Sequence, residues 1–299
     1  MSRPLRFATF ASVPALLCAI ACGGSGVTIG EFDASTNPDG GTSTPADGSV
    51  TADGGPIVGP KVSIYVRATA ATFPHSDGLA SLQPTDARLW IRNLSLDFGG
   101  GQNGVKIFDL KDAKETPIND KSETLIAEVP IASLPIGTAT KAHVATDAVA
   151  YRVPTKLHFN NMILDGEING WQALSNGAID PDLKQARQSG FYKIDFLFGG
   201  NKVADNSGDN APVPTGPVGG GFEFKVDQGV GTYSFPIVLP VTNSVTTDRK
   251  MYITLNVDRN FRWVDSKKAD YVAGAWDTEP PNFEQVVRFG ANSFTLTLE

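Results

Sequence analysis

Hydrophobic and polar residues alternate with a period of two along much of residues 61–299. The alternation is clearest in the segments 62–66, 192–198, 251–257 and 294–298. Successive side chains of a β-strand point to opposite faces of a sheet, whereas a helix repeats its buried positions every 3.6 residues or so. The pattern therefore predicts strands that are buried on one face and exposed on the other.

The same reasoning predicts an all-β fold for the whole region. Further strands are expected at residues 88–98, 105–110, 124–131, 139–153, 156–163, 221–226 and 233–241. Roughly ten or more strands separated by Gly and Pro turns are typical of an antiparallel β-sandwich. The length of residues 61–299 suits one large β domain or two small ones.

Two local features are predicted within these strands. The buried positions change parity after Ile91, which indicates a β-bulge near Asn93. The turn-forming residues 102–104 (Gln-Asn-Gly) are expected to close a hairpin between Leu96 and Val105.

One short helix and one long loop are expected to interrupt the strands. Asp180 is suited to cap a helix, Pro181 to its first position, and Gly190 to its end. Residues 205–220 are rich in Pro, Gly, Asn and Asp, and predict a long exposed loop.

A short segment resembles a known β architecture. Residues 134–138 (Leu-Pro-Ile-Gly-Thr), followed by residues 141–144 (Lys-Ala-His-Val), are similar to a proline–x–glycine hairpin of prealbumin-like β-sandwich lipoproteins. The resemblance implies a sandwich architecture and no particular function.

The N-terminus has the organisation of a signal peptide. Arg3 and Arg6 precede an apolar stretch at residues 7–20, which is shorter than the roughly 20 apolar residues of a spanning helix. The stretch ends in Ala19-Ile20-Ala21-Cys22, which resembles the lipobox of bacterial lipoproteins, with Ala19 where that family usually has Leu. The resemblance implies removal of residues 1–21 and lipidation of Cys22.

Lipidation would place the protein in the cell envelope. Cys22 is followed by Gly23 and not by the Asp that retains the best-studied lipoproteins at the inner membrane, so the resemblance implies the outer membrane. An ordinary signal peptide cut near Ala21 and an uncleaved anchor remain alternatives. Cys18 is the only other cysteine, so a chain beginning at Cys22 cannot form an internal disulfide.

Residues 22–60 have the composition of a linker. They consist mainly of Gly, Ser, Thr, Pro, Asp and Ala, with five acidic residues and no Lys or Arg. Such a segment cannot bury enough apolar surface to offset its chain entropy, so it is expected to be disordered. A flexible coil of this length reaches about 35 Å.

Composition and motifs disfavour several functions. The net charge is −7, and no basic stripe suggests a nucleic-acid partner. Gly99, Gly101 and Gly104 spell G-x-G-x-x-G, but strand-like residues follow where dinucleotide binding needs a helix. No G-x-S-x-G elbow occurs, so the chain is expected not to be an enzyme. A hydrolase that uses a pair of carboxylates remains an alternative, because carboxylate separation is a tertiary property.

No metal or cofactor is expected. The three histidines are scattered, and a transition-metal site needs three or four convergent ligands. His158 is expected to face solvent, because it alternates with Leu157. The weak calcium candidates are Asp205, Ser207 and Asp209, whose oxygen-bearing side chains occur at alternate positions. A calcium loop also needs a carboxylate that closes it, and no Glu follows them before Glu223.

Aromatic residues between 261 and 276 suggest an alternative function. Trp263, Tyr271 and Trp276 lie near several acidic residues, as in sugar-binding sandwiches, and would form an exposed ligand face. Packing of these rings in the core is the other interpretation.

The sequence therefore predicts a lipid-anchored envelope protein with a non-catalytic β-sandwich that binds a partner or has a structural role. Its predicted partners are the membrane, through the N-terminal lipid, and a glycan or an envelope protein. A carbohydrate- or protein-binding module that uses the 261–276 aromatic residues is the first alternative, and the carboxylate-based hydrolase is the second.

Overall fold

The computed structural model of the protein describes residues 57–299, except for residues 100, 160, 212–215, 220, 243 and 280–281. The predicted signal peptide (1–21), Cys22 and nearly all of the predicted linker (22–60) lie outside the described residues. The described residues belong to one compact unit. Among them, no helix is long and apolar enough to cross a membrane.

Nearly all regular structure in the described residues is β-strand, and the only helical element is the 3₁₀ turn Ile131–Ser133. The strands are β1 (Lys61–Thr69), β2 (Ala80–Leu82), β3 (Asp86–Phe98), β4 (Gln102–Pro117), β5 (Glu123–Pro130), β6 (Gly137–Phe159), β7 (Met162–Ala173), β8 (Ala178–Ile179), β9 (Ala186–Arg187), β10 (Tyr192–Phe198), β11 (Asn201–Gly208), β12 (Gly216–Gly219), β13 (Phe222–Asp227), β14 (Val230–Val241), β15 (Arg249–Asn256), β16 (Phe261–Trp263), β17 (Asp277–Glu279), β18 (Asn282–Phe283), β19 (Val286–Arg288) and β20 (Ser293–Leu298). The predicted all-β sandwich is confirmed.

The 23-residue strand β6 is the central strand of the largest sheet and, among the described residues, pairs with four other strands. One of its edges pairs with β3 and then with β17. The other edge pairs first with β14, as far as Thr146, and then with β7, from Ala148 onwards. This edge of β6 therefore changes its partner strand from β14 to β7 at Asp147. The path through this sheet runs β11-β10-β7-β6-β14-β13-β12, with β3 and β4 attached through β6.

A second sheet, in the order β20-β15-β1-β5, completes the sandwich. Its inner residues, such as Ile64 and Ile253, join the same hydrophobic cluster as Leu89 and Val144 of the large sheet. Burial of this apolar surface is the main stabilising contribution. β1 and β15 pair in parallel, as do β6 and β17, so the fold is mostly but not wholly antiparallel. A small sheet, β19-β16-β2, carries Phe261 and Trp263 into the core.

The predicted bulge near Asn93 is confirmed. β3 and β6 pair through Trp90 and Ala148, then through Ile91 and Thr146, and then through Asn93 and Ala145. Each strand therefore has one extra residue at this point. They are Arg92 and Asp147, whose side chains form an ion pair. The two extra residues of the bulge are thus the ones that form an ion pair across it.

The hairpin between Leu96 and Val105 is also confirmed, because these residues pair between β3 and β4. Its turn differs from the prediction, since Phe98 already pairs with Gln102 and the chain reverses before residue 102. Gly101 has a φ of 90°, a conformation that favours glycine. The G-x-G-x-x-G segment is therefore part of a hairpin between two strands.

The helix predicted after Asp180 is wrong. The Asp180 carboxylate accepts the backbone N–H groups of Asp182 and Leu183, as a helix cap would, but only a turn follows. Arg187 and Lys193 both bind this carboxylate. These contacts fold the chain back as the short hairpin of β8 and β9.

The predicted loop at 205–220 begins later than expected. β11 pairs with β10 as far as Gly208, opposite Tyr192. A second strand, β12, pairs with β13. Polar residues occupy β11 because it is an edge strand of the large sheet, with one row of backbone groups available to solvent.

Candidate functional site

A cavity of about 360 Å³ lies between the large sheet and the segment 276–289. Its sheet side is built by β6, β7 and β10, and Asn210 and Ala211 also line it. A volume of this size is within the range of small-molecule sites, which are concave and mostly apolar. We call this space the aromatic cavity.

Two tyrosines shape the floor of the aromatic cavity. Tyr151 of β6 lies opposite Gly170 of β7, and Tyr192 of β10 lies opposite Gly208 of β11. A Cβ atom at position 170 would lie 2.7 Å from the Tyr151 ring, and one at position 208 would lie 3.0 Å from the Tyr192 ring. The glycines therefore allow both rings to lie across the neighbouring strand.

The segment 276–289 forms the roof. Trp276, Phe283 and Phe289 contribute its aromatic surface. The Trp276 ring meets Phe261 edge to face at a centroid distance of 4.7 Å, and its indole N–H donates to the Glu284 carbonyl at 3.1 Å. The indole is thus fixed by both packing and a hydrogen bond.

The Glu284 carboxylate holds this roof together. Its two oxygens accept the backbone N–H groups of Ser266, at 2.5 Å, and Asp277, at 2.8 Å. Burial raises the pKa of Glu284, and the nearby carboxylates of Asp277 and Asp265 add to the rise against the lowering effect of the two N–H groups. Glu284 therefore ties Ser266 and the start of β17 to the segment that covers the cavity.

The polar groups facing the aromatic cavity are uncharged. They are the amides of Gln172, Asn210 and Gln285 and the two tyrosines, and no Asp, Glu, Lys, Arg or His lines the described cavity. Burial raises the pKa of Tyr151, so its hydroxyl stays protonated at neutral pH. Amides and phenols both donate and accept hydrogen bonds, which suits an uncharged polar ligand.

The predicted exposed aromatic face is corrected by the structure. Trp263 is 0% exposed and Trp276 is 2% exposed, because both rings pack in the hydrophobic core. Tyr271 is half-buried and packs on His158, with centroids 4.9 Å apart. The three residues therefore do not form a common surface. Trp276 alone reaches the aromatic cavity, from the inside.

The three histidines bind three different carboxylates. His75 lies beside Asp258, and His143 binds Asp97 at 3.0 Å. His158 binds Asp277 at 2.6 Å. The prediction that His158 faces solvent is wrong, because Tyr271 and Asp277 cover it.

His143 also contacts Ser234, which completes a Ser–His–Asp arrangement. The Ser234 Oγ lies 2.8 Å from His143 Nδ1, and Asp97 Oδ2 lies on the opposite ring nitrogen. Ser234 is in the interior of the sheet, between β13 and β6. Backbone N–H groups in such a strand bond to the neighbouring strands and cannot form an oxyanion hole at the serine. The arrangement serves as a cross-strand hydrogen-bond network.

The weak calcium candidates are spread along an extended segment and do not surround a common point. Asp205 and Ser207 lie on the extended strand β11, and Asp209 follows its end. The Asp205 carboxylate binds Lys202 at 2.8 Å. Throughout the described part of the chain, no group of three or more His, Cys, Asp and Glu side chains is arranged to hold a metal ion.

Two carboxylates, those of Asp277 and Glu284, do come close together within the roof, but both have structural contacts. Asp277 is fully buried and binds His158 and the backbone N–H of Val272. Glu284 is similarly buried and binds two backbone N–H groups. Neither side chain lines the aromatic cavity. Tyr151, Tyr192 and Gln172, which do line it, were not predicted, and the glycines inside β7 and β11 were the available signal.

Comparison of the chain with protein-family models, with curated proteins and with solved structures gave no match. A function for the chain must therefore be inferred from its own residues.

Proposed function

We propose that this chain is an exported, lipid-anchored envelope protein whose β-sandwich binds an uncharged small molecule in the aromatic cavity. The observation that carries the binding role is the cavity of about 360 Å³, walled by aromatic rings and lined by amides. The lipobox-like residues ending at Cys22 support the anchor.

The lining favours an uncharged ligand over an ion. An ionised group would lose its hydration in a space where no lining side chain of the described residues carries a compensating charge. The flat faces of Tyr151, Tyr192 and Trp276 favour a planar or ring-containing molecule. The amides of Gln172 and Gln285 would fix its orientation through hydrogen bonds.

The tethered arrangement fits a binding role at a membrane surface. A disordered acidic linker would let the sandwich reach away from an acylated Cys22. Stable attachment needs more than one acyl chain, because a single chain binds a bilayer only marginally.

The cavity proposal predicts that Tyr192→Ala weakens ligand binding about tenfold or more, since a central aromatic contact is lost. The probe is a library of uncharged one- and two-ring fragments, screened against the full chain by ligand-observed NMR. Phe198→Ala is the matched control, because Phe198 is an exposed aromatic residue on the same strand. Hits that bind equally well to the Tyr192 variant, or the absence of any hit from this library on the folded wild-type chain, would contradict the proposal.

The anchor proposal predicts that Cys22→Ser abolishes labelling by radioactive palmitate and moves the protein from the detergent phase to the aqueous phase. A serine hydroxyl cannot take the thioether-linked lipid that the lipobox resemblance implies. Cys18→Ser is the control and is expected to leave both properties unchanged. Detergent partitioning that survives the Cys22 substitution would end the anchor proposal while leaving the cavity proposal intact.

A further inference from the structure

A groove of about 760 Å³ crosses the outer face of the large sheet, away from the aromatic cavity. Its lining residues include Trp90, Arg92, Glu115, Asp147, Asn176 and Ile179. None of the residues that line the aromatic cavity lines this groove. We call it the Trp90 groove.

Trp90 packs on small buried residues beside the Trp90 groove. Trp90 of β3 pairs with Ala148 of β6, and Ala148 pairs with Ala173 of β7. Ala148 and Ala173 belong to a small buried cluster against which the half-buried Trp90 packs. Part of the Trp90 ring surface stays accessible from the groove.

The bulge between β3 and β6 places a fixed ion pair beside Trp90. The Arg92 guanidinium donates to both carboxylate oxygens of Asp147. The Asp147 side chain is 7% exposed and the Arg92 side chain is 31% exposed. Both nevertheless line the groove. A pair held this firmly presents donors and acceptors in a defined geometry.

The two sides of the groove carry balanced charge. β4 contributes Lys111, Asp112 and Glu115, and the turn after β8 contributes Lys184. Together with Arg92 and Asp147, these residues provide three basic and three acidic side chains, so their formal charges cancel. A strongly charged polymer would therefore meet as much repulsion as attraction.

We propose that the Trp90 groove binds an uncharged oligosaccharide. The apolar C–H face of a sugar ring would stack on Trp90, and its hydroxyls would bond to Asp147, Arg92 and Glu115. Hydroxyls both donate and accept, which matches a lining that offers carboxylate acceptors next to guanidinium donors. The groove volume of about 760 Å³ leaves room for more than one sugar ring.

The test uses neutral hexasaccharides of the cello, malto and chito series, titrated by calorimetry into the full chain. At least one series is expected to bind, and Trp90→Ala is expected to weaken that binding about tenfold or more. Tyr192→Ala, in the aromatic cavity, is the control and is expected to leave oligosaccharide affinity unchanged. Trp90→Phe keeps an aromatic face and is expected to retain part of the affinity, which separates stacking from damage to the fold.

Three results would overturn the inference. No binding by any of the three series to the folded wild-type chain would do so. Equal binding by wild type and Trp90→Ala would place the saccharide elsewhere. Loss of saccharide binding in Tyr192→Ala, with binding intact in Trp90→Ala, would assign the sugar to the aromatic cavity and not to the groove.

Discussion

Trp263→Ala is expected to lower the free energy of unfolding by about 3–5 kcal/mol, the cost of removing a fully buried tryptophan from a core. Trp263 is 0% exposed and packs beside Phe261, with ring centroids 6.3 Å apart. A domain is stable by only about 5–15 kcal/mol, so this loss removes a large share of the stability. Urea unfolding followed by far-ultraviolet circular dichroism measures it.

Two further variants give this prediction its controls. Trp263→Phe is expected to cost far less, because it keeps most of the apolar volume and removes an indole N–H that is buried without a hydrogen-bond partner in the described structure. Tyr271→Ala removes a ring that is only half-buried and is therefore expected to lower the free energy of unfolding by less than Trp263→Ala does. A Trp263→Ala protein with unchanged urea midpoint would contradict the burial described above.

Asp77→Asn is expected to cost about 3 kcal/mol, because it leaves a buried guanidinium without its counter-charge. The Arg262 side chain is 3% exposed and donates through Nε and Nη2 to the two Asp77 oxygens. Asp77 itself is partly exposed, so the cost lies at the lower end of the range for buried pairs. Chemical denaturation of the variant and wild type at pH 7 measures the difference.

The same ion pair predicts a pH dependence. Burial alone would raise the pKa of Asp77, but the Arg262 hydrogen bond, the Leu79 backbone N–H and the charges of Arg262 and Arg288 hold it below its ordinary value of 3.8. A lowered pKa means that the contribution to stability is complete above pH 3.8 and is lost as the pH falls through the lower, folded-state pKa. The gap between wild type and Asp77→Asn should therefore shrink in strong acid. A gap that stays constant down to pH 2 or so would contradict this assignment.

Alternation along single strands was enough to predict most of the long strands and the bulge near Asn93, because both depend on neighbouring residues in the sequence. It missed β7, and the predicted strand at 156–163 is wrong, since these residues span the end of β6 and the start of β7. It also placed His158 correctly on the face opposite Leu157. It could not show that Tyr271 and Asp277 cover that face, since they lie more than a hundred residues further along the chain. The periodicity of a strand shows which face of the sheet a side chain is on, but it does not show which other residues pack on that face.

The misassigned helix at Asp180 has a similar cause. An aspartate that accepts backbone N–H groups two and three residues ahead begins both helices and isolated turns. Whether a helix or a turn follows Asp180 depends on Arg187 and Lys193, whose side chains bind the Asp180 carboxylate. The aromatic cavity was missed because Tyr151 and Gly170 become neighbours only through strand pairing.

The position of β1 has a consequence for how the chain folds. β1 is enclosed by β5 and by β15, and its contacts with β15 join residues 187 positions apart, as between Arg67 and Thr254. Hairpins such as β3–β4 and β6–β7 close short loops and can assemble early, whereas this pairing must wait until the distant partner has been synthesised. Until then the β15-facing edge of β1 stays unpaired and its apolar face is open to aggregation, so a chaperone that shields this strand would protect the newly made protein.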